Sequence, residues 1–132
     1  MKRNIFFISD RTGITAELFG QSLLSQFEQD DFEQLTIPYI DSIEKAENAR
    51  QQINDAAQLT EQRPIIFNTM VLPEIRVIIQ SSNALVLDFF HTFIGPLEAE
   101  LGETSVFRVG KTHALLTTLR PMTQGLKRLT LL

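Results

Sequence analysis

The chain has 132 residues, 43% of them hydrophobic, enough for one domain with a core of its own. It contains no cysteine and two well-separated histidines, which excludes a disulfide framework and a thiolate metal site and argues against a His-rich metal centre. The formal charge is −4 and Lys/Arg never cluster beyond a pair, so there is no electrostatic footprint for nucleic acid.

No apolar run approaches a membrane span. The apolar run after Met1-Lys2-Arg3-Asn4 stops at Ile8, too short for a signal peptide, and a cytoplasmic location is expected. Residues 4–8 carry Ile5, Phe6, Phe7 and Ile8 and read as a short strand buried on both faces. Ser9, Asp10, Thr12 and Gly13 then crowd into a turn. Ile14, Ala16, Leu18, Phe19, Leu23, Leu24 and Phe27 recur at helical spacing, which predicts a helix over 14–27 with that stripe inward. Glu28-Gln29-Asp30-Asp31 reads as a solvated acidic loop.

Residues 35–40 read as a second strand, and Pro38 places it toward an edge or ends it early. Asp41 or Ser42 caps a helix over 42–58 with a stripe of Ile43, Ala46, Arg50, Ile53 and Ala57. Gln62-Arg63-Pro64 punctuates, and 65–68 is a third, nearly all-apolar strand. Pro73 suits the first turn of a helix over 73–82 that turns Ile75, Ile78 and Ile79 inward and is closed by Asn83. Residues 84–89 form a fourth strand with Asp88 at its carboxyl end. Phe90, Phe93, Ile94, Leu97 and Leu101 follow at helical spacing; Pro96 starts the regular helix, 96–101, and Gly102 ends it.

This alternation predicts an α/β fold: a mainly parallel sheet with helices on both faces, a Rossmann-like three-layer arrangement with right-handed crossovers. Val106-Phe107-Arg108-Val109 is a candidate fifth strand. After His113 the periodicity fails, acidic residues vanish while basic ones persist, and the tail is irregular.

The loop after the first strand is the leading site. It lies at the carboxyl end of a parallel strand and at a helix N-terminus, where N–H groups are unpaired and anions are favoured. Asp10 could orient a hydroxyl, bind Mg2+ or accept a proton; Arg11 could pair with a phosphate; Thr12 and Thr15 could hold a phosphate oxygen; Gly13 permits close approach. The plain alternative is a capped turn with Asp10 or Thr12 as N-cap. Asp88 could converge with Asp10 at adjacent strand ends, with His91 beside it, or simply cap the next helix.

Gly110-Lys111-Thr112 is no Walker loop, because Ser105 stands where its first glycine belongs and Leu116 to Pro121 makes a poor helix. Lys111 and His113 remain secondary phosphate candidates; Arg63 and Arg76 could serve anions, with a surface role the expectation for both. No metal ligand set and no catalytic residue is assigned.

Phe7-Ile8-Ser9-Asp10-Arg11-Thr12-Gly13-Ile14-Thr15-Ala16-Glu17 resembles the opening motif of the pyruvate, water dikinase (phosphoenolpyruvate synthase) regulatory proteins. Arg63-Pro64, Val71-Leu72-Pro73-Glu74-Ile75-Arg76, Pro96-Leu97-Glu98 with Leu101-Gly102, and Gly110-Lys111-Thr112-His113-Ala114-Leu115 resemble later blocks in the same order. The resemblance implies a bacterial, cytoplasmic, bifunctional serine/threonine kinase and phosphorylase. It would phosphorylate a threonine of the dikinase using ADP, and remove that phosphate with inorganic phosphate, releasing pyrophosphate. ADP, inorganic phosphate and Mg2+ are thus implied for the full-length family, and no cofactor for this chain by itself.

The implied partner is phosphoenolpyruvate synthase, and a homodimer is open; no nucleic acid or membrane is implied. The resemblance also implies that residues 1–115 are the family's N-terminal α/β domain and that the nucleotide loop lies in the other half. The chain alone is then expected to be inactive, and 116–132 an atypical tail created by a shift of reading frame near Leu115. A non-catalytic remnant that binds an anion or the dikinase is the alternative.

Overall fold

The computed structural model of the protein describes residues 2–27 and 31–106. Among these, strands and helices alternate: β1 (Arg3–Ile8), α1 (Ile14–Leu24), β2 (Phe32–Ile37), α2 (Ile43–Thr60), β3 (Ile65–Asn68), α3 (Pro73–Gln80), β4 (Leu85–Asp88) and α4 (Phe89–Leu101). The four strands form one parallel sheet in the order β2-β1-β3-β4. β1 pairs with β2 from Arg3↔Phe32 to Ile8↔Ile37 and with β3 from Ile5↔Ile65 to Ile8↔Asn68. β3 pairs with β4, ending at Asn68↔Asp88.

Side-chain alternation along β1 divides the core in two. Phe6 and Ile8, with Ile66, pack against Ala46, Ala49 and Ile53 of α2 and Ile75 and Ile79 of α3. Ile5 and Phe7, with Phe67, pack against Ala16 and Leu24 of α1 and half-buried Phe89 at the start of α4. On this second face Phe7, Phe67 and Phe89 stack in sequence, with ring centroids 5.7 and 5.8 Å apart. The crossover that moves one way, through α1, uses one face; those that move the other way, through α2 and α3, use the opposite face. All three therefore share one hand, as parallel crossovers do.

Several boundaries and faces differ from the sequence expectation. β2 spans Phe32–Ile37 rather than 35–40. As an edge strand it needs little apolar cover, so Glu33 and Gln34 can join it, and Pro38 falls just beyond its end. Tyr39 then takes a left-handed φ of 57° and donates its N–H to the carbonyl of Arg11 at 2.8 Å, tying the turn after β2 to the loop after β1.

α1 buries Ala16 and Leu24 of the expected stripe together with Gly20, and it stops at Leu24; the rest of the stripe, Ile14, Leu18, Phe19, Leu23 and Phe27, is exposed. Small residues at four-residue spacing let the helix approach the Phe7 and Phe67 rings. α3 ends at Gln80, and Asn83 instead donates its N–H to Asn54 at 2.7 Å. α4 begins directly after Asp88 and carries Pro96 inside it, not at its start. None of its residues is fully buried. Ser42 and Gly102 cap their helices as expected. Residues 107–109 of the candidate strand, Lys111, His113 and the 116–132 tail lie outside the described residues.

A Cβ on Gly20 would overlap the Phe7 ring and come within 2.8 Å of Phe67, while one on Gly95 meets nothing within 4 Å. Gly20→Ala should therefore destabilise by about 1–3 kcal/mol despite better helix propensity. Gly95→Ala should be neutral or stabilise by up to about 1 kcal/mol. Urea unfolding of both variants checks the contrast.

Candidate functional site

The strand order reverses between β1 and β3: α1 leaves β1 on one face and α3 leaves β3 on the other. In open α/β sheets, the carboxyl side of such a reversal is where a crevice opens and ligands sit. Here Ser9 and Asp10 leave β1, and Asn68 and Thr69 end β3, all of them buried.

Thr69 prolongs the ladder by one step, its N–H donating to the carbonyl of Ile8 at 3.0 Å. The Asn68 Oδ1 accepts the N–H of Met70 at 2.9 Å, which fixes the amide so that Nδ2 is the free end. The N–H of Val71 favours the charged form of the Asp10 carboxylate. Asp10 is 7% exposed and Asn68 fully buried, yet Asp10 Oδ2 and Asn68 Nδ2 have no partner among the described residues. Burial raises the Asp10 pKa above the ordinary carboxylate value; the N–H groups of Val71 and Asp10 and the Arg11 guanidinium oppose that rise.

The helices differ at their N-termini. Ser42 caps α2 by accepting the N–H of Lys45 at 3.1 Å, and Asp88 caps α4 by accepting that of His91 at 3.2 Å. The helices flanking the reversal have no side-chain bond from their N-cap residues, Gly13 for α1 and Leu72 for α3. Neither Asp10 nor Thr12 occupies the N-cap position, but Thr12 Oγ1 accepts the N–H of Ile14, the first residue of α1, at 3.5 Å. Gly13 adopts φ 89°, and a Cβ there would come within 2.7 Å of Thr36 Cγ2, so both conformation and space require glycine. The Thr36 hydroxyl in turn donates to Glu17. Ser9 Oγ accepts the N–H of Arg11 at 3.0 Å; Arg11 and Thr12 are exposed and Thr15 is half-buried.

Two further expectations need correction. Asp10 and Asp88 do not stand on adjacent strands, because β3 lies between β1 and β4. Arg76, expected at the surface, donates its Nε to Asp88 Oδ2 at 2.6 Å, with the side chains only 15% and 8% exposed. Arg63 is exposed, its carbonyl accepting a bond from Arg3. No group of three His, Cys, Asp or Glu gathers as a metal site among the described residues.

Asn68 and Thr69 are the additions that sequence reasoning missed. Asn68 had a legible cue, a polar residue closing the otherwise apolar strand Ile65-Ile66-Phe67. The burial of Arg76 had none, since its partner Asp88 lies twelve residues away on another element.

A family model described as kinase/pyrophosphorylase matches residues 5–122, and the chain belongs to that family. It is 56% identical over 115 residues to a protein of Pseudomonas savastanoi pv. phaseolicola, provisionally named phosphoenolpyruvate synthase regulatory protein; the match covers 87% of this chain and 42% of that one. Proteins of the same provisional name from Hahella chejuensis and Pseudomonas aeruginosa (strain LESB58) are 52% and 55% identical, over 89% and 87% of this chain and 43% and 42% of theirs. The chain thus spans about two fifths of the length of these relatives. No described helix is long and apolar enough to cross a membrane.

Because the folded-state pKa of Asp10 lies above its ordinary value, burial of this group is best tolerated when it is protonated. Its stabilising share is complete below the ordinary pKa of 3.8 and is lost as pH rises through the raised folded value. Asp10→Asn should remove that dependence. Urea unfolding from pH 3 to pH 7 should show the wild type losing stability relative to the variant as pH rises (pH limits are about those of the carboxylate range).

Proposed function

We propose that this chain supplies the phosphate-recognising α/β part of a regulator of phosphoenolpyruvate synthase, with loop 9–15 as a phosphate site. The observation that carries the reading is the start of α1 at the reversal of the sheet, where the N-cap is Gly13 and only the Ile14 N–H is taken by a side chain, that of Thr12, beside the buried Asp10. Free N–H groups and the positive end of the helix favour an anion there. Gly13 lets the backbone come close, and Arg11, Thr12 and Thr15 are the side chains within the loop that can add charge or hydroxyl contacts.

Membership of a kinase/pyrophosphorylase family supports the finer reading. The complete family protein would transfer a phosphoryl group from ADP to a threonine hydroxyl of the synthase. In the reverse control, inorganic phosphate would attack the phosphothreonine, forming a P–O bond to the phosphoryl group and leaving pyrophosphate and the free hydroxyl. Both directions require a tetrahedral oxyanion to be held in place, and holding donor and acceptor groups is most of what such catalysis needs. The nucleotide cradle belongs, on this reading, to the part of the family protein outside the matched segment; this chain contributes the phosphate contact and a surface for the synthase.

Calorimetric titration of inorganic phosphate into wild type and an Arg11→Ala, Thr12→Ala variant tests the loop. Losing a charge-assisted contact should weaken binding about tenfold. Equal affinity in the two proteins would remove the loop from the site.

A further inference from the structure

Three sets of hydrogen-bond donors meet on the α3 side of the crevice. The first is Arg76, which uses Nε alone on Asp88; its terminal nitrogens have no partner among the described residues. The second is Asn68 Nδ2, fully buried and without a partner among the described residues. The third is the Glu74 N–H in the first turn of α3, which has no side-chain cap; Pro73 has no N–H and that of Ile75 bonds the Leu72 carbonyl at 3.2 Å.

Their convergence follows from register and bonding. Asn68 is the register partner of Ile8, which packs with α2 and α3, and of Asp88, which holds Arg76. Residues in register on parallel strands share a face of the sheet. The bond from Met70 N–H turns the Asn68 side chain toward the segment entering α3.

We propose that Arg76, Asn68 and the first turn of α3 form an oxyanion site, in which Asp88 is a positioning residue that orients the guanidinium. This rests on the reading that the crevice binds phosphate, and assigns side chains that hold it. Donors without acceptors on one face call for an acceptor-rich ligand, and a guanidinium steadied at Nε presents its remaining N–H groups as a fork suited to a tetrahedral oxyanion. Asp88 cancels the charge of Arg76, so Asp10 and the exposed Glu74 are the acidic groups left to oppose an anion.

The test titrates inorganic phosphate and methyl phosphate into the wild type and four variants, with thermal unfolding to verify folding. Arg76→Gln with Asp88→Asn replaces the ion pair by neutral groups, and Asn can still cap α4. Asn68→Asp keeps the acceptor for Met70 and removes the donor. Each should weaken phosphate binding about tenfold or more. Asp10→Asn should strengthen it severalfold by removing like charge, about what a nearby carboxylate costs.

Methyl phosphate binding as well as phosphate would assign the site to a phosphoryl group carried on a larger molecule, and preference for phosphate to the free ion; both support it. Should the paired variant not fold, Asn68→Asp decides. Unchanged affinity in the folded variants overturns the inference. Loss in these variants with none in Arg11→Ala, Thr12→Ala keeps the inference and moves the site away from the loop; the opposite pattern keeps only the loop. Failure of the wild type to bind either anion overturns both.

Discussion

The pairing of β1 on both of its edges is the constraint on which the rest of the structure depends. Its six residues pair with β2 along one edge, Ile5 to Ile8 pair with β3 along the other, and Ile5 to Ile8 are buried on both faces. A central strand of this kind cannot shift register by one residue without turning Phe6 and Ile8 out of one core and Ile5 and Phe7 out of the other. The exit of the chain from β1 is therefore fixed. Ser9 and Asp10 must leave the sheet next to the end of β3, and they do so where the helices of the two neighbouring strands diverge.

That divergence explains why polar groups can be buried here. Backbone amides freed at the ends of β1 and β3 are taken up by side chains: Ser9 accepts from Arg11 and Asn68 from Met70. Tyr39 and Ile40 tie the turn after β2 to the same loop through the carbonyls of Arg11 and Ser9, at 2.8 and 3.0 Å. The loops of three strands are thus held together by bonds that do not depend on a ligand. Placement of charge is equally specific. The Arg76–Asp88 pair has good contact distance in a mostly buried setting, where loss of one partner would leave the other uncompensated.

The alternating pattern made the fold legible, since each strand and helix has a local signature. Faces and neighbours were less so. In α1 the apolar stripe is wide enough to suggest either face, and the small residues Ala16 and Gly20 decide it through the Phe7 and Phe67 rings, a non-local fact. The start of β2 was hidden because an edge strand tolerates Glu33 and Gln34. In the site, Asp10 and Gly13 stood out because they fill the turn after a buried strand. Arg76 did not, because its burial depends on Asp88 across the packing of α3 on β4, and strand order is not written in local periodicity.

The central claim is that the reversal between β1 and β3 is where this family's chain meets an oxyanion. Residue-resolved amide NMR of the wild-type chain during a phosphate titration tests it most directly. Saturable shifts should concentrate in residues 10–16 and 68–76, the two segments that follow β1 and β3 at the reversal. Saturable shifts centred instead on the capped start of α2, around Ser42 and Ile43, or an even drift with no saturation across the chain, would contradict it.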